Sequence, residues 1–189
     1  MRDIDPSVLD RIHSLDPLDR NYFSVLEDIQ IEGKADQISR IAKRNVGNDR
    51  LLRFVADFRS VQHRLVRAVD CIERGDDKAL GQIIDEDVVR ARDPRGMRLL
   101  TIAVLRERHE ICETIASAHP GLVDLQDAHG RTALHYASVQ GNAIYDSLVD
   151  LGANRNVLDD DGYSPAVYRE KPSLMVRLSP PPTFHILSP

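Results

Sequence analysis

From Leu51 to Ile72 apolar side chains recur three or four residues apart: Leu51, Leu52, Val55, Phe58, Leu65, Val66, Val69 and Ile72, with Gln62 keeping the spacing. No glycine or proline interrupts them, so the pattern predicts one long helix with a buried stripe. Upstream, Asp5-Pro6 and Asp16-Pro17 each set a side-chain acceptor before a proline that presets the first turn, predicting two helix starts. A third helix fits residues 35–45 and stops near Gly47. Beyond Ile72 the apolar positions come in shorter bursts. Leu65 to Asp76 reads as a helix closing in a turn at Gly75, and Ala79-Leu80-Gly81-Gln82-Ile83-Ile84 as the helix after it. After Pro172 an apolar cluster, Leu174 to Leu178, precedes Ser179-Pro180-Pro181-Pro182, which forbids helix and favours an extended, solvated chain.

A period underlies the bursts. Asp93-Pro94-Arg95-Gly96, Asp127-Ala128-His129-Gly130 and Asp159-Asp160-Asp161-Gly162 begin 34 and then 32 residues apart. Leu100 and Ala103 stand 34 residues before Leu134 and Ala137, the leucine for packing and the alanine for close helix approach. Gly75 precedes Gly141 by 66, two periods, and Cys71 falls in line with Ala137. Three units over 61–92, 93–126 and 127–158, and a half unit from 159 to about 171, account for the spacing. No D-x-x-G precedes the first unit, so it lacks the opening turn of the others.

The best-formed unit, Asp127-Ala128-His129-Gly130-Arg131-Thr132-Ala133-Leu134-His135-Tyr136-Ala137 with Gly141-Asn142 and Gly152-Ala153-Asn154, resembles the ankyrin repeat. That family's unit is a β-turn finger followed by two antiparallel helices, each burying its apolar faces only against its neighbours. The resemblance implies an all-α solenoid, an ankyrin stack of about three and a half units preceded by a helical N-terminal cap. It also implies structural roles for Thr132 and His135, whose side chains tie fingers to helices, and places Asn156 where family members anchor the next finger. Unit two departs from the pattern at Thr101, where histidine is usual, and at Glu107, where the helix-turn glycine is expected. Residues 1–60 resemble no family. They read as a cap fused to the stack through the long helix, or as an independent helical domain with its own partner. The expected divisions are 1–60, 61–171 and a Pro-rich tail, 172–189. The apolar cluster at 174–178 either folds back over the open end of the stack or trails free.

A net charge of −5, no tryptophan and 5% aromatic residues argue against a general nucleic-acid surface, which needs a positive field and stacking rings. No stretch approaches a membrane span and the start lacks a signal peptide's apolar run. Two cysteines inside helical patterns make no disulfide framework, which fits a reducing compartment, cytoplasmic or nuclear.

Catalytic and metal chemistry find little support. His109-Glu110-Ile111-Cys112-Glu113 has half of a zinc-protease helix, but Glu113 stands where the second histidine belongs, and Ile111 and Ile115 serve as buried helix positions. Gly33-Lys34 lacks both the preceding glycine-rich loop and the following hydroxyl residue of a phosphate-binding loop. No cofactor, metal or catalytic residue is implied.

The expected function is non-enzymatic: a protein-binding or scaffold module, monomeric, binding through fingers and groove, with a piece or short isoform of a larger scaffold such as a cytoskeletal adaptor as its expected context. The resemblance puts a partner along finger tips and inner helix faces. Arg90, Arg92, Arg95 and Arg98 on the first finger, His129 and Arg131 on the second, and Asp160 and Asp161 on the third would give an edge running from basic to acidic. Arg106, Arg108, Tyr136 and Gln140 would line the groove. Such a gradient orients a dipolar partner more than it adds raw affinity. The alternative function is a regulatory subunit or substrate adaptor of an enzyme complex, docked through the N-terminal helices.

Overall fold

Two apolar cores share one helix. A computed structural model describes residues 6–13, 22–32, 34, 37–38, 40–41, 49–140 and 142–177, and in it the elements of regular structure are helical. Helices α1 (Pro6–His13) and α2 (Tyr22–Ile31) lead to α3 (Asp49–Arg74), the long helix that the unbroken apolar spacing predicts. Val55 and Phe58 of α3 pack with Val8, Ile12, Leu26 and Ile29 in the N-terminal core, whereas Val61, Leu65, Ala68 and Ile72 belong to the repeat core. One rigid rod thus carries side chains of both bodies. The first predicted helix starts at Pro6, while the start at Asp16-Pro17, most of 35–45 and the stop at Gly47 lie outside the described residues.

Unit one continues through α4 (Asp77–Gly81) and α5 (Glu86–Arg90). The helix expected at 79–84 both starts and stops earlier: Asp76 caps its start by accepting from the Ala79 amide at 3.0 Å, it ends at Gly81, and Asp85 then caps α5 through Val88. Unit two is α6 (Leu99–Leu105) and α7 (His109–Ala118), unit three α8 (Ala133–Gln140) and α9 (Asn142–Asp150), and α10 (Pro165–Glu170) is the half unit. A 3₁₀ turn at Pro172–Arg177 returns against α10 and α8, so the start of the apolar cluster does fold back on the stack.

The turn between paired helices shows what the repeat demands of its backbone. Gly75 donates to the Ile72 carbonyl and Asp76 to that of Cys71, the double bond that closes a helix through a left-handed residue. In unit two the bonds are the same, Glu107 to Val104 and Arg108 to Ala103, and Glu107 is held at φ 55°. The missing glycine changed the strain, and the geometry stayed.

Candidate functional site

Each finger is built around one buried aspartate. Asp93 Oδ1 accepts the amides of Arg95 and Met97, both at 2.9 Å; Asp127 Oδ1 those of His129 and Arg131 at 2.8 and 3.0 Å; Asp159 Oδ1 those of Asp161 and Tyr163 at 3.1 and 2.9 Å. The carboxylate folds the turn by satisfying amides that would otherwise be orphaned. Its second oxygen takes a side-chain donor: Tyr136 hydroxyl on Asp127 at 2.6 Å, Tyr168 hydroxyl on Asp159 at 2.7 Å, and Arg95 Nε on Asp93 at 3.1 Å in the unit that has Ile102 instead of tyrosine. A tyrosine nine residues after the finger aspartate was visible in the sequence twice, and its spacing was the signal for this bond.

Successive fingers touch through their backbones. Ala128 N–H donates to Gly96 O at 3.0 Å and Asp160 N–H to His129 O at 3.1 Å. Gly96 and Gly130 are needed twice over. Both have positive φ, and an added Cβ would come within 2.2 Å of Ala128 Cβ and 2.6 Å of Asp160 Oδ1 respectively.

Thr132 N–H donates to His135 Nδ1 at 2.9 Å, so the ring proton sits on Nε2 and is given to Tyr163 O at 3.2 Å. His135 is wholly buried, and loss of solvation holds its pKa below the ordinary histidine value. A neutral imidazole that bridges two units is a joint of the stack, the role the resemblance implied. In unit two Thr101 replaces it, and its buried hydroxyl has no partner among the described residues.

The arginine-rich edge is rearranged. Arg92 is a correction: its guanidinium does not face solvent but is clamped by α2. Nε donates to Glu27 Oε2 at 3.0 Å, Nη2 to Asp28 Oδ1 at 2.6 Å and to Ser24 O at 3.2 Å, and the Arg92 amide donates to Glu27 Oε1 at 2.8 Å. Desolvation of Glu27 raises its carboxyl pKa although Arg92 opposes this; desolvation of Arg92 pulls its own pKa down, but the Glu27 and Asp28 carboxylates outweigh it and raise it. A buried acid of α2 therefore holds the chain at Arg92, immediately before the first finger. Arg131 is a second correction, 8% exposed and bound to Asp159 at 3.1 Å and Asp161 at 2.8 Å. These bonds, with Tyr168, overcome desolvation to keep Asp159 below the usual carboxylate range, while burial lifts Tyr168 to about 12.

Three more expected contacts are joints between units. Arg98 reaches Gln126 O at 2.8 Å and the Arg90 carbonyl, and burial brings its pKa down to about 10. Arg108 donates to Ile72 O and Glu73 O at 2.9 and 2.6 Å, and Arg106 pairs with Glu73 at 2.7 Å. Arg90 lies on α5, not on a finger, and pairs with Glu86. Gln140 is half-buried with its Oε1 unpartnered among the described residues, and Tyr136 is half-buried with its hydroxyl on Asp127. His129, Asp160 and Asp161 remain exposed at the tips, and Arg95 is partly exposed beside Asp93. Asn156 is exposed, and its amide donates to Asn154 Oδ1 at 2.9 Å.

Among the described residues no group of three or more histidine, cysteine or acidic side chains could hold a metal, and no helix is long and apolar enough to cross a membrane. Cys71 and Cys112 are both free, and burial raises both thiols, Cys112 to about 12. No curated protein matches the chain. Residues 65–159, just over half of it, match the family model of ankyrin repeats in three copies, over the segment where the fingers stack; the chain belongs to the ankyrin-repeat family.

Proposed function

We propose that this chain is a non-enzymatic protein-binding module whose partner lies along the finger tips and the neighbouring inner helix face. The observation that carries this reading is the backbone bonding from finger to finger, which presents Arg95, His129, Asp160 and Asp161 from a rigid, registered edge. A preorganised edge loses little conformational entropy on binding. On the first helix of unit three, Val139 is exposed and Gln140 half-buried, and both belong to the face we assign to the partner. The charge order along the tips still runs from a cation at Arg95 to carboxylates at Asp160 and Asp161, although Arg92 and Arg131 no longer contribute to it.

Free cysteines fit a cytoplasmic or nuclear setting, and a place within a larger scaffold such as a cytoskeletal adaptor is the context we favour. The alternative, a regulatory subunit docked through the N-terminal helices, would use other faces of those helices, since Glu27 and Asp28 are occupied by Arg92. Affinity capture with wild-type protein and a His129→Glu/Asp160→Lys variant tests the reading. A partner lost only from the equally folded variant supports it; an identical catch overturns the placement.

A further inference from the structure

The outer face of unit one holds an open cleft of about 580 Å³. Arg64, Arg67, Asp70, Cys71 and Arg74 of α3 form one wall. Asp76, Ala79, Gln82, Ile83, Ile84 and Asp85 form the other. All of these belong to the first unit, so neither unit two nor the described N-terminal helices cover the cleft. α3 gives Val61, Leu65, Ala68, Cys71 and Ile72 to the repeat core, against which Ala79, Ile83 and Ile84 also pack, so the cleft floor is the edge of that core and Arg64, Arg67, Asp70 and Arg74 of α3 rise beside it.

The stack contains its own record of what fills such a place. Matching Gly75 to Glu107 sets the two units 32 residues apart, and the cleft positions 67, 70, 71, 79, 83 and 84 then correspond to Leu99, Ile102, Ala103, Ile111, Ile115 and Ala116. All six of those are buried in unit two. Helix α3 of unit one packs against α6 there, and its Glu73 meets Arg106, which stands at the position of Arg74. In unit one the floor of the cleft keeps its small and apolar residues, Cys71, Ala79, Ile83 and Ile84. The rim has become ionic. Arg64 is paired with Asp85 and Arg74 with Asp70. Asp76 caps α4. Arg67 alone among the cleft's arginines has no carboxylate partner among the described residues, and it is exposed.

We propose that this cleft docks an amphipathic helix of a protein partner, with a small apolar stripe on the floor and a glutamate or aspartate against Arg67. The site is separate from the finger edge, so a scaffold of this kind would hold two proteins at once, one at its end and one along its fingers. A helix in the cleft extends the stack by one more layer, as α3 does for unit two, and the Arg67 pair fixes its direction and register.

The test uses two synthetic 18-residue helical peptides with the same alanine–leucine stripe, one flanked by glutamates and one by lysines. They are titrated by fluorescence anisotropy into the full chain and into Arg67→Glu, each shown by circular dichroism and melting to be folded. The expected result is saturable binding of the acidic helix to wild type, at least tenfold weaker binding to Arg67→Glu, and a gain by the lysine-flanked helix on that variant. Methyl NMR shifts should centre on Ala79, Ile83 and Ile84. Equal affinity for wild type and Arg67→Glu, absence of saturable binding to wild type, or shifts centred on the finger tips would each overturn the cleft. The last two leave the finger-edge reading standing, and loss of capture by the tip variant leaves the cleft standing, so the two fail separately.

Discussion

Removing the guanidinium of Arg92 should release the N-terminal helices. In Arg92→Leu three side-chain donations disappear, to Glu27 at 3.0 Å, Asp28 at 2.6 Å and Ser24 O at 3.2 Å. Glu27, 5% exposed at its side chain, keeps only the amide of residue 92. Breaking a buried pair from one side costs about 3–5 kcal/mol. Burial already favours the protonated carboxyl of Glu27, so proton uptake offers an escape and sets the expected loss at the lower end, about 3 kcal/mol. Glu27→Leu leaves the guanidinium with Asp28, which is half open to water, and orphans one amide, costing about 1–3 kcal/mol. In the double variant the stranded carboxylate is gone, so the loss should be no greater than for Glu27→Leu alone. That corresponds to a coupling of about 3 kcal/mol or more in the cycle. Urea unfolding at pH 7 reads the global part, and hydrogen exchange of the amides at 22–31 reads undocking that leaves the repeats folded. Additive single losses, or exchange at 22–31 unchanged in Arg92→Leu, would refute the clamp and return Arg92 to the binding edge.

Further outcomes follow from single positions. Glu107→Gly should stabilise by about 1 kcal/mol, since a left-handed φ is strained for a residue with a Cβ; an unchanged or lower urea midpoint contradicts it. Leu134→Ala should cost about 2–5 kcal/mol and lower the whole repeat melt, whereas a barely shifted melt would mean that the unit register is wrong. His135 has a depressed folded pKa, so its stabilisation is complete above the unfolded value of about 6.5 and falls away as pH drops from there to the folded pKa. His135→Asn should flatten that part of the stability–pH curve. A second loss, beginning near about pH 4 as the unfolded chain takes up protons ahead of Asp159, should persist in the variant.

The repeat was legible because it is written in local chemistry: an aspartate that folds a turn, a glycine that lets the next finger approach, and a Thr–His pair three residues apart. The continuous α3 was legible for the same reason, its apolar spacing being unbroken. The arginines were misread because finger turns are polar in any case, and residue type alone does not say where a guanidinium ends. Arg92 finds its acid 65 residues back in α2, and Arg131 finds Asp159 one unit ahead. The first pairing crosses a boundary that no periodic pattern spans. The second was readable only once Arg131 was placed at the same unit position as Met97, a buried one.

Hydrogen exchange on the chain with and without its captured partner tests the finger edge most directly. The account predicts protection at 93–97, 127–131 and 159–163 with the rest of the stack unchanged. Protection confined to 6–31, with those three segments exchanging as in the free chain, would contradict it.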